Sequence, residues 1–373
     1  MDPNVIKLAM GAAGATGPEN KLYTWGSGAN GALGLGNTTG YSSPKQVGAL
    51  TDWSVIKGPG INNRFHAIKT DGTLWSWGSG SSGQLGLGNT TSYSSPKQVG
   101  ALTNWAKISA GGVFTVAIKT NGQIWAWGTS GRGELGLNNT TDYSSPKQIG
   151  TLTNWSQVAC GDYHTAAIKT DGTLWTWGYN YNGQLGRGTS GSGTNVSSPV
   201  QVGALTTWSK IAAGSNFCAG ITSDGKLWTW GANFNGQLGT GNLNYRSSPT
   251  QVGSLTTWSN VFTAYRTCFA IKTDGTLWGW GLNNTGQLGD GTLIAKSSPV
   301  QIGALTNWSV VSPNSSHTIA LKTDNTIWGW GNGSNGRLGV GNQITYSSPV
   351  QIGSLSNWMT IGTCGSASSA ISQ

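Results

Sequence analysis

A Trp-Gly dipeptide returns at Trp25, Trp77, Trp127, Trp177, Trp230, Trp280 and Trp330, at intervals of 52, 50, 50, 53, 50 and 50 residues. A period near 50 belongs to propellers and solenoids, in which each unit hides its apolar face only against its neighbours. Seven units share one order: Trp-Gly, four variable residues, Gly-x-Leu-Gly, a polar loop, Ser-Ser-Pro-x-Gln-Val/Ile-Gly, a tryptophan, an apolar stretch, and a segment like Ala-Ile-Lys-Thr-Asp-Gly-Thr-Leu-Trp. Three tryptophans per unit would exceed the 20 present by one, and Tyr23 occupies the missing place.

Within each unit an Asp-Gly or Asn-Gly pair separates two apolar runs, at Asp71-Gly72, Asn121-Gly122, Asp171-Gly172, Asp224-Gly225 and Asp274-Gly275, weakening only at Asp324-Asn325. Such pairs supply the positive φ angles of a two-residue type I′ turn, so each unit is expected to hold a hairpin. Two further strands are expected, around Gln-Val-Gly and in the Ser-x-Val/Ile segment, with proline at the strand edge before them. Four short strands per unit is the content of a propeller blade. Residues two apart share a face, so Trp75 and Trp77 should lie together, opposite the small residue between them. The chain stops after Ala370-Ile371, where other units continue, and Lys21-Leu22-Tyr23-Thr24-Trp25-Gly26 supplies the missing strand. The expectation is an all-β, closed seven-bladed propeller over residues 19–373, one blade shared by both termini, preceded by an arm at residues 1–18. Closure of this kind removes exposed sheet edges.

Composition agrees with that expectation. Charged residues make up 9% and glycines number 60, too few charges for disorder, with no strict glycine period for collagen and only 4 cysteines for a disulfide framework. The formal charge of +9 raises nucleic-acid binding, but Lys69, Lys119, Lys169, Lys272 and Lys322 repeat at one site and Lys45, Lys97 and Lys147 at another. Cations spread around a ring do not make the basic stripe that nucleic acid needs. Uninterrupted apolar stretches of membrane-spanning length are also missing.

Segments such as Leu-Trp-Thr-Trp-Gly-Tyr-Asn-Tyr-Asn-Gly-Gln-Leu-Gly (174–186) and Gly-Asp-Tyr-His-Thr (161–165), with Pro-x-Gln-Val between units, resemble regulator-of-chromosome-condensation repeats. The resemblance covers residues 19–373 and implies a seven-bladed propeller, often with a shared blade. Members of that family include an exchange factor for a small GTPase, a plant ultraviolet photoreceptor and a secreted bacterial β-lactamase inhibitor. The exchange factor's inserted wedge and basic tail have no counterpart in this sequence. The photoreceptor's Gly-Trp-Arg-His-Thr is replaced by Gly-Gly-Val-Phe-Thr (111–115) and Gly-Asp-Tyr-His-Thr (161–165).

The residues do not assemble into a catalytic pattern. His164 and His317 occupy a repeat position shared with Arg64, Phe114, Phe217, Thr267 and Ala367, which reads as half-buried packing; His66 is the third histidine. Five of the ten aspartates (Asp71, Asp171, Asp224, Asp274 and Asp324) belong to the hairpin turns. The scattered acids that remain give no acid/base dyad, Ser-His-Asp order or metal-ligand spacing, so neither an enzyme nor a cofactor is expected. Cys160, Cys218, Cys268 and Cys364 read as small buried side chains, with disulfides or zinc as the alternatives.

Positions that vary inside fixed surroundings are the candidates for binding. One variable loop follows each Trp-Gly and holds Arg132, Tyr179, Tyr181 and Phe234; Arg187 stands just beyond Gly186. The other precedes Ser-Ser-Pro and ends in Tyr41, Tyr93, Tyr143, Val196, Tyr245-Arg246, Lys296 or Tyr346. Tyrosine, asparagine, serine and arginine are the composition of adaptable recognition surfaces, although the tyrosines could equally pack on a neighbouring loop. The expected function is a non-enzymatic recognition propeller that binds a protein or a glycan through its loops. Residues 5–15 look like N-terminal segments of tailed-phage virion proteins, which suggests display on a virion with residues 1–18 as the docking arm. The alternatives are an intracellular regulator or exchange factor of a small GTPase, with a cytoplasmic location, and a protein inhibitor like the β-lactamase inhibitory propeller.

Overall fold

The short alternating segments leave each sheet with two apolar faces, and the chain resolves this by stacking sheets around an axis. The computed structural model describes residues 19–373, and the expected arm at 1–18 lies outside the described residues. Seven four-stranded antiparallel sheets form the ring. Blade 1 joins Lys21–Gly26 and Tyr41–Gln46 to Trp358–Cys364 and Ala367–Ser372. Blades 2 to 7 cover 53–98, 105–148, 155–201, 208–251, 258–301 and 308–351 in order. Closure is an unbroken six-residue ladder, from Lys21 opposite Ser372 to Gly26 opposite Ala367.

In blade 2 the chain runs from the inner strand Trp53–Lys57 through Arg64–Lys69 and Leu74–Gly78 to the outer strand Tyr93–Gln98. The outer strand differs from expectation, because Pro96 lies within it rather than before it. An outermost strand tolerates a missing N–H, and the ladder bulges there: Ser76 faces Lys97 while Gly78 already faces Tyr93. The hairpin turn also differs. Gly72 N donates to Lys69 O and Lys69 N to Thr73 O, which makes a three-residue loop with a glycine bulge instead of a two-residue type I′ turn. Only the last loop position needs positive φ: Gly72 has +78°, and Asn325 fills the equivalent site at +60°. Asp71 stabilises the loop by accepting from Thr73 N and Thr73 Oγ1.

The tryptophans divide their roles as the alternation requires. Trp53 meets Trp75 and Trp77 edge-on at 6.1 and 6.2 Å, and Tyr23 meets Trp358 in the same manner at 5.4 Å. Each Trp-Gly indole crosses to the preceding blade. Trp77 Nε1 donates to Ala32 O, Trp127 to Gln84 O, Trp177 to Glu134 O, Trp230 to Gln184 O, Trp280 to Gln237 O, Trp330 to Gln287 O and Trp25 to Arg337 O, all at 2.8–3.0 Å. The last glycine of Gly-x-Leu-Gly makes room for that ring; a Cβ on Gly339 would lie 2.5 Å from Trp25 Nε1. The repeated lysines lie between the other tryptophans. Lys169 Nζ stands 3.7 Å from the Trp175 ring and 4.9 Å from Trp155, a cation–π arrangement that recurs at Lys69, Lys119, Lys272 and Lys322. These cations brace the blades from within.

Candidate functional site

Alternating strand direction puts two connections on the same side of the ring: the short turn from inner to second strand and the long loop from third to outer strand. This loop face carries the most variable residues, so it is the candidate site. Exposed large apolar side chains on its long loops are Tyr181, Phe234, Leu243, Tyr245, Leu293, Ile294 and Ile344. Each of them belongs to blades 4 to 7. The long loops of blades 1 to 3 (27–40, 79–92 and 129–142) contribute none.

Two aromatic–arginine clusters form this crescent. In the first, the Arg132 guanidinium lies 4.1 Å from the Tyr163 ring and 4.7 Å from Tyr179, and Tyr179 stacks on Tyr181 at 6.2 Å. In the second, Phe234 meets Tyr245 edge-on at 4.9 Å while Arg266 covers Phe234 at 5.1 Å and Tyr265 at 4.9 Å. Arg266 Nη1 also donates to Asn235 Oδ1 at 3.3 Å. The short turns fix the spacing between clusters by backbone bonds: Gly112 N to Asp162 O, Asp162 N to Ser215 O, and Ser215 N to Tyr265 O. Ser215 Oγ donates to the Asp162 carboxylate, whose pKa burial raises and whose partners Ser215 and Arg266 pull back down. Tyr265 has φ +37°, a left-handed conformation that a bulky residue rarely adopts; the matching residue of blade 1 is Gly365 at +33°.

The expected residues therefore separate. Arg132, Tyr179, Tyr181, Phe234 and Tyr245 come together on the loop face. Tyr41, Tyr93, Tyr143 and Tyr346 instead stand singly, one per blade, at the start of each outer strand. Lys45, Lys97 and Lys147 cover three of these rings at 5.4–5.6 Å, and Asn89 and Asn342 donate to the hydroxyls of Tyr93 and Tyr346. Lys296 is paired with Asp290 at 3.2 Å. Arg187 and Arg246 lie in seams between blades. Tyr163, Tyr265, Arg266 and the aliphatic tips join the site beyond the residues expected from the two variable loops. The short turn varies from Gly-Gly-Val to Tyr-Arg and carries the same signal.

The histidines are more deeply buried than expected. His164 Nε2 lies 3.1 Å from Cys218 Sγ and His317 Nε2 lies 2.9 Å from Ser368 Oγ, in each case across a seam. Burial lowers both pKa values to about 3. Arg64 is also fully buried and donates to the carbonyls of Gly111, Gly112 and Phe114 in the next blade; burial lowers its pKa to about 9. These groups rivet seams, as arginine's fixed fork allows. The four cysteines are buried and free. No group of three or more His, Cys, Asp or Glu is placed to hold a metal among the described residues.

A closed ring of seven four-stranded antiparallel blades around an axis is a β-propeller. The chain belongs to the RCC1-like domain family, whose model matches residues 7–259 and 150–373. It is 32% identical over 249 residues to the E3 ubiquitin-protein ligase HERC2 of Mus musculus and of Homo sapiens, a match covering 64% of this chain and 4% of those proteins. The mouse protein RCC2 is 34% identical over 82 residues, covering 22% of this chain and 16% of RCC2. Yeast RCC1 (Prp20), solved bound to Kap60, superposes with a TM-score of 0.85 at 20% identity, covering 100% of this chain and 96% of that one. Human WBSCR16 superposes at 0.83 and 18% identity, over 95% and 99% of the two chains. The chain thus spans a small fraction of HERC2, and its likeness to the solved structures is one of fold.

Proposed function

We propose that this chain is a regulatory protein-recognition propeller that captures its partner on the crescent of blades 4 to 7. The observation that carries this reading is that, among the seven long loops, only the four of blades 4 to 7 expose large aromatic and aliphatic side chains, and Arg132 and Arg266 lie among them, whereas the exposed leucines of the opposite face repeat once per blade and single out no region. Rigid aromatics with arginine are the anchors of protein interfaces, and the backbone-linked turns beneath hold them in place at little entropic cost. The buried histidines and the thiols raised by burial have no access to a substrate, which favours binding over catalysis.

Partners described for Prp20 are Kap60, Gsp1p and histones. Of these, histones are basic and this chain carries a formal +9, so electrostatics disfavours them, and the exchange-factor alternative makes Gsp1p, taken as a small GTPase, the partner to test. The virion reading rested on residues 5–15, which lie outside the described residues, and draws no support from the relatives named above. The test is a nucleotide-release assay on Gsp1p loaded with a fluorescent guanine nucleotide, with complex formation followed by size exclusion. Wild type should form a complex, and Tyr181→Ser/Phe234→Ser/Ile294→Ser should weaken it at least tenfold without lowering the melting temperature. Equal complex formation by the triple variant would sink the crescent as the binding site. Accelerated release would make the chain an exchange factor, and complex formation without acceleration would leave it a regulator of another kind.

A further inference from the structure

Each seam places the residue that follows Gly-x-Leu-Gly beside the half-buried ring of the next blade. At four seams this residue is aliphatic and joins the seam's core as a plug: Leu35 and Trp75 pack against one core cluster, Leu87 and Trp125 against a second, Leu137 and Trp175 against a third, and Val340 and Tyr23 against a fourth. At the next three seams it is Arg187, Thr240 and Asp290.

Where the plug is lost, two grooves open in adjacent seams. The groove between blades 4 and 5 holds about 440 Å³, with Trp228, Pro249 and Leu205 as apolar walls and Arg187 and Ser248 as polar ones. The groove between blades 5 and 6 holds about 490 Å³ and repeats the set with Trp278, Pro299, Leu255, Arg246 and Ser298. Both volumes suit a small ligand.

The charges in these grooves are unmatched. In blade 6 the position of Arg246 is Lys296, whose ammonium pairs with Asp290 at 3.2 Å. In blade 5 the acid's place is taken by Thr240, and Arg246 Nε is buried without a partner. In blade 4 Arg187 itself stands in the acid's place, and its Nη1 is likewise buried without a partner. A buried guanidinium donor without an acceptor costs stability, and a carboxylate bound to the same guanidinium offsets that cost by neutralising the charge.

We propose that the two grooves are saccharide sites, each taking one pyranose ring that bears a carboxylate. The apolar face of the sugar lies on the Trp228 or Trp278 indole, the carboxylate pairs with the guanidinium of Arg187 or Arg246, and Ser248 or Ser298 meets a ring hydroxyl. An indole, a hydroxyl and an unmatched cation in one groove select against plain apolar ligands, which leave the cation unpaired. The sites lie between outer strands, apart from the aromatic crescent, and do not depend on its role.

The probes are methyl β-D-glucuronide, methyl β-D-glucoside and acetate, followed by saturation-transfer NMR and tryptophan fluorescence on the full chain. Glucuronide should bind saturably, the neutral glucoside about tenfold more weakly, and acetate without saturation. Arg187→Leu/Thr240→Leu restores the aliphatic plugs used at four other seams and should abolish binding while the protein melts as before. Arg187→Gln/Arg246→Gln keeps the grooves open and should erase the preference for glucuronide over glucoside. No saturable response to glucuronide overturns the proposal. So does equal binding of both glycosides by the wild type, undiminished binding in the plugged protein, or acetate matching glucuronide, which would mark an adventitious ion only.

Discussion

Trp25 Nε1 donates to the carbonyl oxygen of Arg337 at 3.0 Å, across 312 residues of chain. Six other indoles make the same bond to the blade before them, but this one ties the N-terminal strand to the last complete blade. Together with the ladder from Lys21 to Gly26, it turns a row of blades into a ring.

Trp25→Phe keeps most of the ring's bulk and deletes that hydrogen bond. We expect a loss of about 1 kcal/mol in denaturant unfolding, and about 3–5 kcal/mol for Trp25→Ala, which adds a cavity. Amide exchange should accelerate first in Lys21–Gly26 and Ala367–Ser372. Uniform acceleration over all blades would contradict a closure that opens locally.

Gly339 and Gly353 both have positive φ, +77° and +62°, but only Gly339 faces an indole. Gly353→Ala meets nothing within 4 Å and should cost about 1–2 kcal/mol for the backbone alone. Gly339→Ala should add a further ~1–3 kcal/mol of overpacking against Trp25. Equal unfolding midpoints for the two variants would show that the indole gives way freely.

Tyr265 holds a left-handed conformation that glycine holds at the matching site of blade 1. Tyr265→Gly should leave stability unchanged or raise it by about 1 kcal/mol, while weakening partner capture on the crescent. A lower melting temperature would show that the tyrosine serves the fold rather than the surface.

Glu134 stands where four other blades have glutamine, and its Oε2 accepts from Arg132 N at 2.7 Å as Gln84, Gln184, Gln237 and Gln287 do with their own loops. Burial raises the Glu134 pKa above its ordinary value. The folded state therefore binds this proton more tightly than the unfolded state, so its stabilising effect is full at low pH and fades as pH rises through the raised pKa. Glu134→Gln should melt higher than the parent at pH 7, and the difference should vanish near pH 4. A constant difference across that range would assign the effect to packing.

Blade number, hairpins, the shared blade and the place of Tyr23 are legible in the sequence because the unit is written seven times, and a repeated pattern exposes its own exceptions. The turn type is not legible, because Asp-Gly satisfies two loop geometries and the choice depends on Asp71 accepting from Thr73, a side-chain bond that spacing does not reveal. Pro96 was set outside its strand because only the ring shows that this strand is outermost. The site was half legible. Loop variability pointed to Tyr179, Tyr181 and Phe234, but whether a tyrosine is free or held depends on neighbours in space. Lys97 and Asn89 hold Tyr93, while Tyr181, stacked on Tyr179, stays 54% exposed.

In every seam lock the acceptor is a main-chain oxygen, so the side chain at that position is free to be alanine, glutamine, glutamate or arginine. A long loop exchanged from one blade to another brings its own acceptor and its own glycine with it. The ring can thus be treated as a chassis with seven interchangeable cassettes, and new specificities can be assembled by swapping loops without redesigning what holds the circle shut.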